Sequence, residues 1–468
     1  MAVLTGLAAM LALYDRVALW ALPVIALLVT IGVTISSFCE ELEGQWRIAA
    51  AVSIFVLTSA LWIVFLLRPA APVPSFVNTT GTVVEDRLWG QQYVVAVSTP
   101  QGGFVVKLPF SPFTEGDRVR IEGSAKPFSY DASDSDFNED RYWMARGMTA
   151  QLTPTKIERA EHAEHVSAWN IHRWRYVLHR SLSRRMPRLT GAYLNSAWTG
   201  KHDSWLDGTH RSWGTSHILA VSGFHVGVAM AGASLILKRG KWRVPLLSLI
   251  LWLYIFLTGA PASAVRAGLM IQTGLIGELV GRPGSSINSV SLAAVLLLMR
   301  SPFWFWDVGW RLSVLAALAI AVTIERGRPY DWKIWLLMNF MIWLAIFPQV
   351  SWTFETTPLV GLIINLVAPQ FFGIALTVAS VAAALFMLGV PASSFLLSSV
   401  EGVFALWEIL ADAAASLVPW QLEWNPVAAY CCAALFIMFT CRALFVPWRN
   451  VAVLSPLGAL SAFALFAL

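Results

Sequence analysis

A chain of 468 residues that is 57% hydrophobic and only 13% charged, with mean hydropathy +0.62, excludes a soluble protein, since soluble domains carry about 25% charged residues. The sequence is that of a polytopic membrane protein, and its 23 tryptophans fit aromatic belts at many membrane–water boundaries. The net charge of +5 is too mild to imply nucleic acid by itself, and the four cysteines (Cys39, Cys431, Cys432 and Cys441) read as packing thiols.

Residues 1–68 read as N-terminal transmembrane helices. The apolar run 2–13 lacks a basic flank and is interrupted by Asp15-Arg16, so it reads as a retained helix and not a cleaved signal. Val17 to Phe38 and Trp46 to Leu67 follow as further apolar runs. A Pro-rich linker, Arg68 to Pro74, opens a soluble insert over 69–166. There, short β-branched runs at 82–84, 93–97, 103–108 and 116–123 alternate with turn residues, which predicts a small OB-like β-barrel. The insert is slightly acidic.

Residues 167–190 change character. Arg173, Arg175, Arg180, Arg184, Arg185 and Arg188 interleave with Trp169, Trp174, Tyr176, Leu178, Leu182 and Met186. This predicts a basic amphipathic helix at the membrane surface, anchoring on headgroups or guiding a polyanion. Residues 191–468 read as a multi-helix membrane domain, with helices expected at 216–237, 244–258, 262–280, 286–300, 303–324, 332–350, 357–390 (as two segments), 395–418, 426–447 and 451–468.

Inside that domain, Ser216 to Gly227 places two histidines, a serine and two glycines in an apolar run. His217 and His225 are eight apart, about 12 Å along an unbroken helix, too far to share a metal unless Ser222-Gly223 breaks it. Ser222 and His225 could meet as a nucleophile pair, but no third orienting group is apparent. The commoner meaning is a broken helix lining a polar path. Arg266 lies just inside a segment opened by Thr258-Gly259 and Pro261. It must face protein, water or an anion, with Glu278, Asp307 or a carbonyl as structural partners and a phosphate as the functional alternative. Asp307 and Arg311 are four apart and would pair on a helix. Asn365, between Pro358 and Pro369, signals another broken helix around a polar lumen.

The run His217-Ile218-Leu219-Ala220-Val221-Ser222-Gly223-Phe224-His225-Val226 resembles the signature of the ComEC competence family, the inner-membrane DNA-uptake channels of naturally transformable bacteria. Thr199-Gly200-Lys201, Trp213-Gly214, Thr258-Gly259, Arg266-Ala267, Asn288, Pro302, Asp307 to Ser313 and Asn365 to Pro369 follow the family order. Phe137-Asn138, Arg141-Tyr142 and Arg146-Gly147 resemble the segment that closes its OB-like domain. The chain departs at Arg311, a cation where an amide is usual, and in having no His-x-His-x-Asp-His cluster, so the family's metallo-β-lactamase-like nuclease is expected on another polypeptide.

The resemblance implies a channel, not an enzyme, that passes single-stranded DNA across the inner (cytoplasmic) membrane. Arg266 and Arg311 are then phosphate-side candidates, and His217, Ser222, Gly223, His225, Asp307 and Asn365 candidate lining. Trp89, Tyr93 and Phe104 of the insert, expected on the periplasmic side, are aromatic candidates for DNA. No catalytic group, metal or cofactor is expected. Expected partners are membrane lipid, a periplasmic DNA receptor, a cytoplasmic DNA-translocation protein and a separate nuclease, and a homodimer is open. An intramembrane hydrolase using Ser222 and His225 and a secondary transporter of a small anion are the alternatives.

Overall fold

The computed structural model describes residues 73–129, 138–160, 170–201, 203–237, 242–281, 284–324 and 332–443, with a few shorter runs beyond. The helices expected over 1–68, the loop arginines 239, 326 and 328, and most of the span expected over 451–468 lie outside the described residues.

Five strands form a closed barrel: β1 (Phe76–Trp89), β2 (Gln92–Thr99), β3 (Gly102–Leu108), β4 (Arg118–Pro127) and β5 (Ala150–Arg159), in the order β1-β2-β3-β5-β4. Only the β3–β5 pairing is parallel, with Phe104 opposite Ala150. Alternate residues point inward, and Val83, Val95, Val97, Phe104, Val106, Val119, Ile121 and Leu152 fill the interior. β2 and β3 do not alternate cleanly, because their outer face is also covered. Helix α1 (Glu139–Ala145) lays Trp143 over Val94, Ala96 and Val105. Gly123 sits at the bulge in β4, where a Cβ would lie 2.2 Å from the Thr153 carbonyl oxygen. The fifth strand, polar and containing Pro154, went unread in the sequence.

The barrel groups with residues 287–311 into one compact unit. Within it, the α1 end meets a 3-10 turn (Pro302–Trp306). The Trp304 indole donates to the Ala145 carbonyl, Arg141 lies 5.2 Å from the Trp306 ring centroid, and Arg146 Nη1 stands 3.3 Å from Asp307 Oδ2. The segments 138–147 and 301–313, marked separately in the sequence, are therefore in contact.

Residues 167–286 and 312–460 form the second unit. Its elements begin with α2 (Ile171–Arg185), α3 (Arg188–Thr199) and α4 (Ser204–Ser212). A 3-10 turn (Ser216–Ile218) precedes α5 (Gly223–Ile236), α6 (Arg243–Leu257) and α7 (Ala262–Val280). Helix α8 (Ser286–Arg300) belongs almost wholly to the first unit, and α9 (Val308–Ile324) runs on from the 3-10 turn after Asp307. Then come α10 (Trp332–Phe354), α11 (Val360–Met387), α12 (Ser393–Leu417) and α13 (Pro426–Ala443). Short strands β6 (Thr356–Pro358) and β7 (Gln421–Glu423) pair and tie two loops together.

Among the described residues, α10, α11 and α12 are long and apolar enough to cross a membrane, and five further helices are apolar but shorter. Helix α11 shows how such a helix packs. Ala368, Ala375, Ala379, Ala382 and Ala383 form a small-residue seam toward the core, which lets backbones approach closely. Ile363, Val367, Ile374, Val378 and Val381 face outward on the other side. The expectation of two segments over 357–390 is corrected: α11 is one helix that continues through Pro369, because its neighbours supply the packing that tolerates the lost donor. The span expected over 216–237 is broken, as its Ser-Gly pair suggested, and the one expected over 303–324 is a 3-10 turn followed by α9. The protein is a polytopic helical membrane protein carrying an OB-like barrel.

Candidate functional site

Three loops converge where the second unit keeps its polar groups. The first follows α3, where Gly200 takes the left-handed conformation (φ 65°) and a Cβ would stand 2.7 Å from the Thr258 carbonyl oxygen and 3.5 Å from Val221 Cγ2. The second follows α6, where Gly259 (φ 85°) leaves only 2.7 Å between its Cβ position and the Arg175 guanidinium. Arg175 Nε donates to the Thr199 carbonyl oxygen at 2.6 Å, so this arginine of the basic helix turns inward. The third is the break before α5, held by Ser263 Oγ donating to the Val221 carbonyl oxygen at 2.5 Å. Gly200 is thus required by close approach to the Thr258 backbone, and Gly259 by its left-handed conformation and the Arg175 side chain packed on it.

Ser222 has extended backbone and caps α5. His225, three residues on, turns back: its Nδ1 accepts from the Ser222 backbone N–H at 3.3 Å and lies 3.1 Å from Ser222 Oγ. This is the reciprocal geometry of a capping box. It brings serine and histidine together to start a helix, and no described carboxylate bonds the imidazole to orient it as a base. His217, on the 3-10 turn, is exposed and within electrostatic reach of His225. No group of three or more metal-ligating side chains occurs among the described residues.

Arg266 lies in the second turn of α7 and is only 6% exposed. Its Nε donates to Ser313 Oγ at 2.9 Å and its Nη1 approaches Met270 Sδ at 3.2 Å. Nη2 reaches the start of α5, 3.4 Å from the Cβ position of Gly223. The structural partner expected in its own unit is taken, because Glu278 binds Arg243. Among the described residues no carboxylate lies within ion-pair distance of Arg266. A buried cation without a counter-charge costs several kcal/mol, on the order of 3–5, and here it stands at the positive end of one helix dipole and near that of a second.

Asn365 on α11 donates from Nδ2 to the Gly214 carbonyl oxygen at 3.2 Å. Gly214 and Gly361 come so close that either Cβ would lie about 3.2–3.3 Å from the other residue's Cα. Asn365 therefore steadies the turn that leads into the 216–225 segment, and its buried Oδ1 has no partner among the described residues. Asp307 and Arg311 belong to the other unit. Asp307 Oδ1 caps α9 by accepting from Trp310 N–H at 2.8 Å, while its Oδ2 meets Arg146. Arg311 Nε donates to the Phe305 carbonyl oxygen, with the guanidinium 5.0 Å from the Phe305 ring centroid.

On the barrel, Phe104 is corrected as a DNA contact: it is 0% exposed, inside the core. Trp89 is half-buried against Tyr142 and Trp143, with the Arg87 guanidinium 4.4 Å from its ring centroid. Burial raises the Tyr142 phenol above its usual range. Tyr93 meets Phe110 at 6.2 Å, and Phe110, which sequence reasoning missed, is 69% exposed.

Also missed were three carboxylates on α12, Glu401, Glu408 and Asp412. Their spacing of seven and four residues in an apolar helix was the available signal. Glu401 accepts from the Leu189 and Thr190 backbone N–H groups (2.9 and 2.8 Å) and from Thr190 Oγ1 (2.8 Å), capping α3 from outside. Asp412 accepts from Trp213 Nε1 at 2.9 Å.

The fold and these loops define a helical membrane protein whose second unit keeps a buried arginine, with no described carboxylate partner, against the start of α5. Residues 202–467 match the competence protein family. That is more than half of the chain, and the chain belongs to this family. It is similar to ComE operon protein 3 of Bacillus subtilis (strain 168), 28% identical over 180 residues, which is 37% of this chain and 23% of that protein. It is also similar to an uncharacterized protein of Aquifex aeolicus (strain VF5), 24% identical over 254 residues, 54% of this chain and 59% of that one. The chain thus spans less than two thirds of the length of either relative. No solved structure matches.

Proposed function

We propose that this protein passes single-stranded DNA across the cytoplasmic membrane during natural transformation, with Arg266 contacting backbone phosphate. The observation that carries this is the buried Arg266 guanidinium, without a described counter-charge, reaching the N-terminus of α5 at a glycine. A phosphodiester supplies the missing charge, and Gly223 lets the start of α5 pack against the Arg266 guanidinium. His217, Ser222, His225 and Asn365 line or steady this path. Tyr93 and Phe110 offer ring faces to bases outside the membrane. Helix α2 turns Trp174, Val177, Arg180, Arg184 and Arg185 outward, a surface for anionic headgroups. A periplasmic receptor, a cytoplasmic translocation protein and a separate nuclease would complete the system.

A small anion would satisfy the same guanidinium, so a secondary anion transporter is the second reading. Labelled single-stranded DNA crossing vesicles that contain the purified protein excludes that as the sole activity. In cells, Arg266→Ala should insert normally and abolish transformation, and wild-type transformation by that variant refutes the assignment. Unchanged DNA entry into the cytoplasm in a deletion strain removes the proposed function altogether.

A further inference from the structure

Of the three carboxylates on α12, Glu401 and Asp412 each receive strong donors and hold helices in place. Glu408 differs. Its Oε1 receives only the Tyr193 hydroxyl, at 3.5 Å. Tyr193 Oη in turn lies 3.0 Å from His210 Nε2, and His210 Nδ1 lies 2.9 Å from Thr215 Oγ1. With Glu408 ionised the directions follow: a carboxylate can only accept, so Tyr193 donates to Glu408 and accepts from His210 Nε2–H. His210 Nδ1 is then an acceptor, and the Thr215 hydroxyl donates to it.

The result is a single file of four groups. Three of the four are buried: Tyr193 is 2% exposed, and His210 and Thr215 are both 0% exposed. Glu408, at one end, is half-buried, and past the other end Thr215 is followed in the chain by Ser216 and His217, both at the surface of the protein. His217 is within electrostatic reach of His210. Polar groups that serve packing alone need only be satisfied. These also join a titratable carboxylate on a membrane helix to the segment that packs against Arg266, and such chains are where membrane proteins move protons.

We infer that Thr215, His210, Tyr193 and Glu408 form a proton wire between the 216–225 segment and α12. A proton delivered to Thr215 Oγ1, with His217 as its source, releases the Thr215 hydroxyl proton to His210 Nδ1. The imidazole gives its Nε2 proton to Tyr193 Oη, and Tyr193 gives its own to Glu408. One proton enters and the carboxylate becomes a carboxylic acid. The other three groups stay neutral, and His210 changes tautomer. Release from Glu408 and reorientation of the hydroxyls reset the file. The charges around the Glu408 end are Arg188 from α3 and Glu401 and Asp412 from α12 itself, and those around His210 are Asp207 and His217. The wire stands apart from the proposed function, and only its coupling to DNA rests on that reading.

The test uses the full chain in liposomes that enclose a pH-sensitive dye, with a pH gradient imposed and the membrane potential clamped. Proton entry is measured with and without a single-stranded oligonucleotide outside. The wild-type protein should pass protons at least tenfold faster than Tyr193→Phe and Glu408→Gln, both of which keep side-chain volume. Thr215→Val cuts the file at its other end without touching α12 and should show the same loss. The proposal is overturned by wild-type conduction no faster than protein-free liposomes, or by wild-type rates in Thr215→Val or Tyr193→Phe. Liposomes that pass protons through this file but pass no oligonucleotide keep the wire and remove the DNA reading. Oligonucleotide passage with equal proton rates in all variants does the reverse.

Discussion

The Arg266 site and the α12 seam are both polar places in an apolar unit, and they are opposite in kind. On α12 the charges come with donors: Glu401 takes three from the start of α3, and Asp412 takes the Trp213 indole. At Arg266 a whole charge is buried with a hydroxyl and a thioether for company. Satisfied groups hold a fold together, whereas a buried charge without a described counter-charge is a standing cost to it. Mutations at the two places should therefore fail in opposite ways. Arg266→Ala should give the largest functional effect, transformation reduced to background, with thermal stability in detergent unchanged or raised. A fall in stability there with DNA entry intact would erase the contrast.

The next largest effect is on acid stability. Burial pushes the His210 imidazole down from 6.5 to about 4. The unfolded chain binds a proton below 6.5 that the folded chain refuses until about 4, so the folded state gains stability as pH rises through that window. The contribution is complete above the unfolded value and is lost as pH falls toward the folded one, amounting to about 3 kcal/mol. Unfolding followed between those two pH values should lose this slope in His210→Gln, and an equal slope in both proteins would show the imidazole to be charged in the fold. Glu401→Ala comes after it. It strips two backbone donors at the start of α3 and should cost about 1–3 kcal/mol, read as a lower unfolding midpoint. Glu401→Gln keeps an acceptor and should recover about half of that loss.

The difference between the two places also explains what could be read from the chain. The broken helix at Ser222 was legible because a serine and a glycine together interrupt an apolar run and serine is a favoured helix cap, and α7 was legible to its ends because Pro261 opens it and Gly281 closes it. The partners were not legible. Glu278 looked available to Arg266 and is held by Arg243, and nothing in sequence spacing reports a competing partner. Phe104 looked like a free aromatic because alternation assigns a strand's faces only when one of them is solvated, and β3 is covered on both sides. The carboxylates of α12 passed unread because each is a single polar letter in an apolar helix, and its meaning lies in Leu189, Tyr193 and Trp213, some two hundred residues upstream.

The smallest expected effect sharpens the comparison within the first unit, where Asp307 does two jobs. Its Oδ1 caps α9 through Trp310 N–H, and its Oδ2 pairs with Arg146, whose side chain is 35% exposed. A half-exposed ion pair contributes about 0–1 kcal/mol, whereas losing a helix cap costs about 1 kcal/mol. Arg146 also lies over the Tyr142 ring, 3.5 Å from its centroid, a contact that a substitution at Asp307 leaves in place. Asp307→Ala should therefore destabilise the protein by about 1 kcal/mol. Asp307→Ser keeps a capping oxygen and drops the charge, so it should cost only a few tenths, roughly the ion pair alone. Equal losses in the two variants would mean that the charge toward Arg146, not the cap on α9, is what this residue contributes.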